Sequence, residues 1–265
     1  MPVWQSIILG ILQGLAEFLP ISSSGHLVLF QNIFGMDGGE IIFDTLLHVG
    51  TLIAVFIVLW KDIVDILKKP FQKVTLMLII ATIPAVLAAL FLEDFITEAF
   101  SGAYLGWGFI VTAIVLASLS FIKSKPEEEH TLNTIDAKQA GIMGIFQAIA
   151  ILPGISRSGF TISGGLFSGV TREKAARFSF LMSIPAILGS LVFNIKDIIE
   201  LDTAATGFSL GTAAIGMVAA ALAGIVALKW MFSIIRKGKL WAFSIYVGAL
   251  GILVVLDQYI FHVVF

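Results

Sequence analysis

Gln13 and Glu17 stand four residues apart, and Ser22, Ser23 and Ser24 follow five residues after the carboxylate, leading through Gly25 to His26. A spacing of four places Gln13 and Glu17 on one face of a helix. A second polar cluster, Pro153-Gly154-Ile155-Ser156-Arg157-Ser158-Gly159, ends near Thr161 and sets an arginine among hydroxyls and glycines. These groups suit an anion rich in oxygens. A guanidinium offers five donors in a fixed fork that matches phosphate, and a polar turn entering a helix adds unpaired backbone N–H groups. Ser22, Ser23, Ser24 and Gly25 form such an anion seat. His26 is near enough along the chain to act as general base on a serine hydroxyl or on water. Glu17 and Gln13 alone make a poor metal cage, but together with phosphate oxygens they suit Mg²⁺ or Ca²⁺. Arg157 is read as an anion ligand, its alternative being an internal partner for Glu17. Asp44 and His48 share a helix face by the same spacing of four; they either point together at the site or bond each other. His130 and His262 are read as bystanders. The chemistry indicated is phosphoryl transfer or hydrolysis, in which positioning and charge neutralisation supply most of the catalysis.

The two clusters are versions of one sentence. Gly10-Ile-Leu-Gln13 leads to Ile21-Ser-Ser-Ser-Gly25, and Gly144-Ile-Phe-Gln147 leads to Ile155-Ser-Arg-Ser-Gly159, each position 134 residues from its counterpart. Within the shared pentapeptide only Ser23 and Arg157 differ. The match continues with a slip of one residue, pairing Phe43 with Phe178, Leu46 with Leu181 and Lys61-Asp62-Ile63 with Lys196-Asp197-Ile198.

The surroundings of these clusters are apolar. Of 265 residues 58% are hydrophobic and 13% charged, with a mean hydropathy of +1.01; soluble domains carry about 25% charged residues. This composition indicates an integral membrane protein, with spanning helices expected near 41–60, 74–92, 103–122, 178–194, 208–228 and 240–262. Backbone groups in lipid must be satisfied within the chain, which selects helices, and the alternation of a membrane barrel is absent. There is no cysteine, so disulfide and thiolate chemistry do not arise, and a net charge of −2 gives no indication of nucleic-acid binding. The N-terminal segment has no basic n-region, its first Lys or Arg being Lys61, so it does not read as a signal peptide. Nor does it read as a span, since its apolar run ends at Pro20 after about fourteen residues, short of the roughly 20 that a crossing needs.

Basic residues set the expected topology. Segments 61–73, 123–138, 171–177 and 229–239 hold fourteen of the sixteen Lys and Arg residues, and the positive-inside rule puts them all on the cytoplasmic side. Acidic stretches such as Asp37-Gly-Gly-Glu40 and Glu93-Asp94, with Lys196, fall opposite. The assignment closes only if 1–35 and 136–170 are re-entrant helical hairpins, each followed by three spans. The expectation is therefore a single all-α membrane domain over 1–265: a first repeat over 1–122, a cytoplasmic linker over 123–135, and an inverted second repeat over 136–265, with both termini on the outer side. Inverted repeats with broken helices place their site near the bilayer midplane.

Taken together, Gln13-x-x-x-Glu17, Ser22-Ser-Ser-Gly-His26 and Pro153-Gly-Ile-Ser-Arg-Ser-Gly-x-Thr161 resemble the undecaprenyl-diphosphate phosphatase family linked to bacitracin resistance, over essentially the whole chain. The resemblance implies a multi-pass enzyme of the bacterial or archaeal inner membrane. Such an enzyme removes the terminal phosphate of a C55 polyprenyl diphosphate and returns the monophosphate carrier to cell-wall synthesis. It implies dependence on a divalent cation and a pocket reached from the outer face, with a homodimer left open. Residue by residue, Glu17 and Gln13 match the acidic motif, His26 the catalytic histidine and Arg157 the phosphate-binding arginine. Ser23 matches a serine taken as nucleophile or substrate ligand, and Gly154, Ser156, Ser158 and Thr161 fall in the second motif. Gln13 replaces a glutamate common in that motif, and Asp44 and His48 stand where some relatives carry Glu and Gln. The competing class is a transporter or flippase of an anion or lipid phosphate, since inverted repeats also build carriers and a fold does not fix a function.

Overall fold

Pro20 stops the first helix. Leu19 before it takes the extended conformation, φ −72° and ψ 146°, to which a residue preceding proline is confined. The chain then turns through Ser22, whose φ of 69° is a left-handed conformation rarely held by residues other than glycine, and re-enters helix at Ser23. The computed structural model describes residues 1–36, 41–100, 102–122, 131–194 and 209–265. Among them are twelve α-helices and no strand: α1 (Val3–Phe18), α2 (Ser23–Ile33), α3 (Ile41–Val58), α4 (Trp60–Lys68), α5 (Lys73–Phe91), α6 (Glu93–Ala99), α7 (Leu105–Ser118), α8 (Ala137–Ile149), α9 (Arg157–Phe167), α10 (Arg172–Phe193), α11 (Leu210–Arg236) and α12 (Ala242–Leu256).

Segments 1–35 and 136–170 each contain a pair of helices joined by a short turn, α1–α2 and α8–α9. Their boundaries keep the sequence spacing: Val3 and Ala137 open the first helices, Ser23 and Arg157 the second, and Ile33 and Phe167 close them, each pair 134 residues apart. The caps agree as well. Ser22 and Ser156 are the N-caps, their side chains accepting from the N–H of Gly25 and Gly159. At the start of α8, Asp136 and Gln139 form a reciprocal capping box, satisfying backbone donors that a helix start leaves unpaired.

Close helix packing carries both hairpins. Gly10 of α1 lies against the carbonyl of Gly216 on α11, so near that a Cβ there would overlap the oxygen. Gly144 of α8, its counterpart, meets the carbonyl of Ala81 on α5 in the same manner. Small residues at such crossings let backbones approach where lipid gives no hydrophobic drive to association. α11 also receives α3 at Gly50 and α1 again at Gly14, while α12 pairs with α7 across Gly106 and Gly251. Large apolar side chains are split between the interior (Phe18, Phe43, Phe109, Phe178 and Phe180) and the periphery, where Ile83, Leu87, Leu222 and Ile245 are exposed.

Four helices, α5, α10, α11 and α12 with its terminal turn, are long and apolar enough to cross a bilayer, and a fifth is counted if α3 and α4 form one bent span. Two expectations are modified. The segment 41–60 is not one straight crossing: the chain bends by 80° after Val58 into α4, whose charged residues Lys61, Asp62, Asp65 and Lys68 are incompatible with further travel through lipid. The segment 103–122 supplies α7, only 14 residues, with one 3₁₀ turn after it. The acidic Glu93-Asp94 loop is itself a short helix, α6. The basic segments do gather at one end: Asp62 of α4 pairs with Arg177 of α10 at 2.5 Å, Lys174 reaches Thr134 at 3.1 Å, and Arg236 faces Glu173 at 4.0 Å. The Asp37–Glu40 stretch, most of the linker (123–130, including His130) and the Lys196-Asp197-Ile198 match lie outside the described residues. His262 ends the last turn in an exposed, left-handed position.

Candidate active site

The two hairpin tips meet. Gly25 faces the Cα of Gly154, where an added Cβ would come to 2.9 Å, and Gly159 lies beside Pro20. Ser158 Oγ donates to the carbonyl of Leu19 at 3.1 Å, from one hairpin to the other. At this junction Glu17, 5% exposed, is bound from both sides. Arg157 Nη2 donates to its Oε1 in a short ion pair, and Ser23 Oγ donates to its Oε2 at 2.6 Å. Gln13 Nε2 also donates to Oε2, at 3.1 Å. Ser23 and Arg157, the one position at which the repeated pentapeptides differ, are thus both ligands of one carboxylate.

The remaining groups divide between this centre and the scaffold. Thr161 donates to the carbonyl of Arg157 at 2.7 Å and touches Ser179 Oγ at 2.5 Å, which fixes α9 on α10. Ser156 caps Gly159 and lies 3.3 Å from Ser158. Ser22 and Ser24 are 3.4 Å apart. In this arrangement Ser156, Ser158 and Thr161 spend their hydroxyls on the protein. Thr112 of α7, fully buried, completes the second tip by donating to the carbonyl of Gly154 at 2.9 Å and accepting from Ser156 N–H at 3.0 Å.

His26 does not touch Ser23. Its Nδ1 pairs with the carbonyl of Ser22 at 2.7 Å and its Nε2 with Tyr246 Oη at 2.8 Å. Since a carbonyl only accepts, Nδ1 carries the proton, and Nε2 accepts from the phenol. Phe109 packs edge-on against the ring. The expectation that His26 takes the proton of Ser23 therefore meets a different geometry: the imidazole is turned toward α12 and Glu17 occupies the hydroxyl. Toward the carboxylate comes instead His48, with Nε2 at 3.8 Å from Glu17 Oε2. Asp44 Oδ1 accepts from Gln31 at 2.8 Å, and its backbone carbonyl lies 2.7 Å from His48 Nδ1.

Sequence reasoning missed Thr112 and Tyr246. A threonine in an apolar helix is unremarkable because it bonds its own backbone, and Tyr246 is 220 residues from His26, so no local pattern links them.

Among the described residues, two side-chain groups at the centre are buried without a partner: Gln13 Oε1 and Arg157 Nη1. A buried polar atom left unpaired costs about 1–3 kcal/mol, and these two call for a cation or donor at one point and an anion at the other. Among the described residues no three His, Cys, Asp or Glu side chains gather as a closed metal cage. The donors present, a carboxylate and an amide oxygen, fit an oxygen-seeking divalent ion completed by oxygens of a bound diphosphate. The arrangement can hold a phosphate chain between Arg157 and such an ion while Glu17 takes a proton from Ser23.

Known proteins resemble this chain over nearly its full length. The chain is 44% identical over 256 residues to a protein of Carboxydothermus hydrogenoformans named undecaprenyl-diphosphatase, covering 96% of this chain and 97% of that one. It is 41% identical to undecaprenyl-diphosphatase 4 of Bacillus thuringiensis strain Al Hakam, with the same coverage. With the undecaprenyl-diphosphatase of Halothermothrix orenii it shares 40% identity, over 98% of this chain and 100% of the relative. The family described as bacitracin resistance protein BacA matches residues 6–253, and with relatives this similar over nearly their full length the chain belongs to that family.

Proposed function

We propose that this protein is an undecaprenyl-diphosphatase, hydrolysing undecaprenyl diphosphate to undecaprenyl phosphate and inorganic phosphate, so that the lipid carrier of cell-wall synthesis is reused and bacitracin is resisted. The observation that carries the reading is the single carboxylate, Glu17, bound at once by a hydroxyl from its own hairpin and a guanidinium from the other. Arg157 engages the diphosphate through its unpartnered Nη1 and, as substrate arrives, through the arm now paired with Glu17. Ser23 Oγ attacks the terminal phosphorus while its proton passes to Glu17 Oε2. The bond from that phosphorus to the bridging oxygen breaks, and undecaprenyl phosphate departs with the electron pair. Water then cleaves the phosphoserine, returning the proton to Ser23. Direct attack by water held at the same carboxylate gives the same products. His26, locked by Ser22 and Tyr246, holds the tip of α2 in place. Glu17 and Gln13 Oε1 are the residues that would hold a divalent cation such as Mg²⁺ or Ca²⁺ with the substrate; when bound, it neutralises charge on the diphosphate oxygens.

We also read the molecule as an inverted repeat of six spans and two re-entrant hairpins in a bacterial inner membrane, with both termini outside and the site open to that side. The matching helix boundaries and the matching crossings at Gly10 and Gly144 support this reading, as does the gathering of basic segments at one end. Cysteines at positions 2 and 264, labelled by an impermeant reagent in intact cells, test the sidedness; protection of both would refute it.

Purified protein in detergent is expected to release phosphate from undecaprenyl diphosphate, and a chelator is expected to suppress the release. A pure carrier releases none. Ser23→Ala should lower turnover by about 10²–10⁴-fold, the range lost with a nucleophile or its proton partner. Rapid quench with ³²P-labelled substrate separates the two routes: a transient phosphoserine on Ser23 identifies serine attack, and direct entry of oxygen-18 from water into phosphate identifies water.

A further inference from the structure

Each hairpin tip is anchored by a hydroxyl from the other half of the chain. Thr112 Oγ1, on α7, donates to the carbonyl of Gly154 at 2.9 Å and accepts from Ser156 N–H at 3.0 Å. Tyr246 Oη, on α12, pairs with His26 Nε2 at 2.8 Å, and the other ring nitrogen lies 2.7 Å from the carbonyl of Ser22. Both anchors therefore end on an N-cap serine. The group that acts stands one residue further on: Arg157 after Ser156, and Ser23 after Ser22.

The two anchors are also counterparts in sequence. Trp107-Gly-Phe-Ile-Val-Thr112 aligns with Trp241-Ala-Phe-Ser-Ile-Tyr246 at a spacing of 134 residues, the spacing that relates the tips themselves. The hold is crosswise: α7, from the first half, fastens the second tip, and α12, from the second half, fastens the first. Because α7 and α12 pack together across Gly106 and Gly251, both anchors belong to one frame. Each position has a use for a hydroxyl. A threonine oxygen donates and accepts at once, and Thr112, fully buried, closes the turn from Gly154, φ +83°, to Ser156 just before the guanidinium. On the other side Ser22 has φ 69°, a conformation that persists only where the surroundings impose it. The His26 ring, set by Tyr246 and by the edge of Phe109, imposes it there.

We propose that Thr112 and Tyr246 are a reciprocal pair of positioning residues: each half lends a hydroxyl from its last α-helix to the tip of the other, so that Arg157 and Ser23 arrive together on Glu17. The proposal rests on the phosphatase reading for the reaction that the two tips perform.

The test pairs Thr112→Val with Tyr246→Phe, each of which removes a hydroxyl and keeps the shape, in the full-length protein in detergent. Hydrogen–deuterium exchange read by mass spectrometry follows the tips independently of activity. Thr112→Val should raise exchange about tenfold over Gly154–Gly159 and leave Ser22–His26 unchanged, and Tyr246→Phe should do the reverse. In turnover of undecaprenyl diphosphate, Tyr246→Phe should lower kcat about tenfold with KM held within about twofold, because Ser23 is displaced. Thr112→Val should raise KM about tenfold, because Arg157 is displaced. Thr112→Ser, which keeps the oxygen, should restore both the exchange pattern and KM. Exchange that stays unchanged at the tip concerned, or rises equally at both tips, overturns the proposal. So does a Thr112→Ser protein as impaired as Thr112→Val, or kinetic constants that neither variant alters. Failure of the phosphatase reading appears separately, as no phosphate release by the unaltered protein while the crosswise exchange pattern stands.

Discussion

Glu17→Gln is expected to release phosphate about 10³-fold more slowly than the unaltered protein, the scale on which a lost base or charge-positioning group acts. The substitution keeps the shape of the side chain and an oxygen that can accept, but removes the charge. Ser23 then has no acceptor for its proton. Arg157 loses the anion that holds its fork while the site is empty, and becomes a mostly buried, uncompensated cation. Breaking one half of such a pair costs about 3–5 kcal/mol, so the thermal midpoint in detergent should fall as well. The double variant Glu17→Gln/Arg157→Gln separates the two effects: with neither charge left, the midpoint should recover toward that of the unaltered protein while turnover stays lost. A single Glu17→Gln protein within tenfold of normal turnover would remove the carboxylate from the mechanism.

The second large effect is expected far from any proton. Gly154 has φ +83°, and a Cβ on it would stand 2.5 Å from the Leu105 carbonyl and 3.0 Å from the Cα of Gly108. Alanine there meets both an unfavourable backbone conformation and backbone atoms that cannot swing aside. Each penalty is about 1–3 kcal/mol, so the midpoint should drop by roughly 10 °C for a chain of this size. Because Ser156 and Arg157 follow directly, the tip must shift, and turnover should fall by more than tenfold even in the folded fraction. Gly141→Ala is the control. That glycine lies in α8, where an added Cβ would meet open space, with no neighbouring atom within 4 Å. The substitution should be neutral or slightly stabilising through helix propensity. Equal losses from the two substitutions would mean that the junction at Gly154 has no special role.

Much of this centre was legible in the sequence because the bilayer makes polarity conspicuous. Glu17 and Arg157 are expensive in an apolar setting, so their presence on two matching segments signals a shared location, and the structure pairs them. The stop at Pro20 and the serine caps were legible for local reasons: proline restricts the residue before it, and a hydroxyl at a helix start finds an N–H. Side-chain direction was not legible. His26 is three residues beyond Ser23, close enough to invite a pairing, yet its ring follows Tyr246 and Phe109, whose approach depends on how α7 and α12 cross. The same holds for His48, whose direction toward Glu17 follows from where α3 lies against α11. The bend after Val58 escaped because hydropathy counts apolar residues and does not register a change of direction.

The first helix is sixteen residues long, about 24 Å at the rise of an α-helix, and falls short of a hydrocarbon layer about 30 Å thick. On the re-entrant reading proposed above, its polar end, clasped to α11 at Gly10 and Gly14, is held below the headgroups by a rod of fixed reach. A substrate whose tail already lives in that layer comes to such a site by lateral diffusion, searching in two dimensions. The quantity that governs its rate is then a mole fraction in the bilayer: diluting the membrane with inert lipid slows turnover, and diluting the buffer does not.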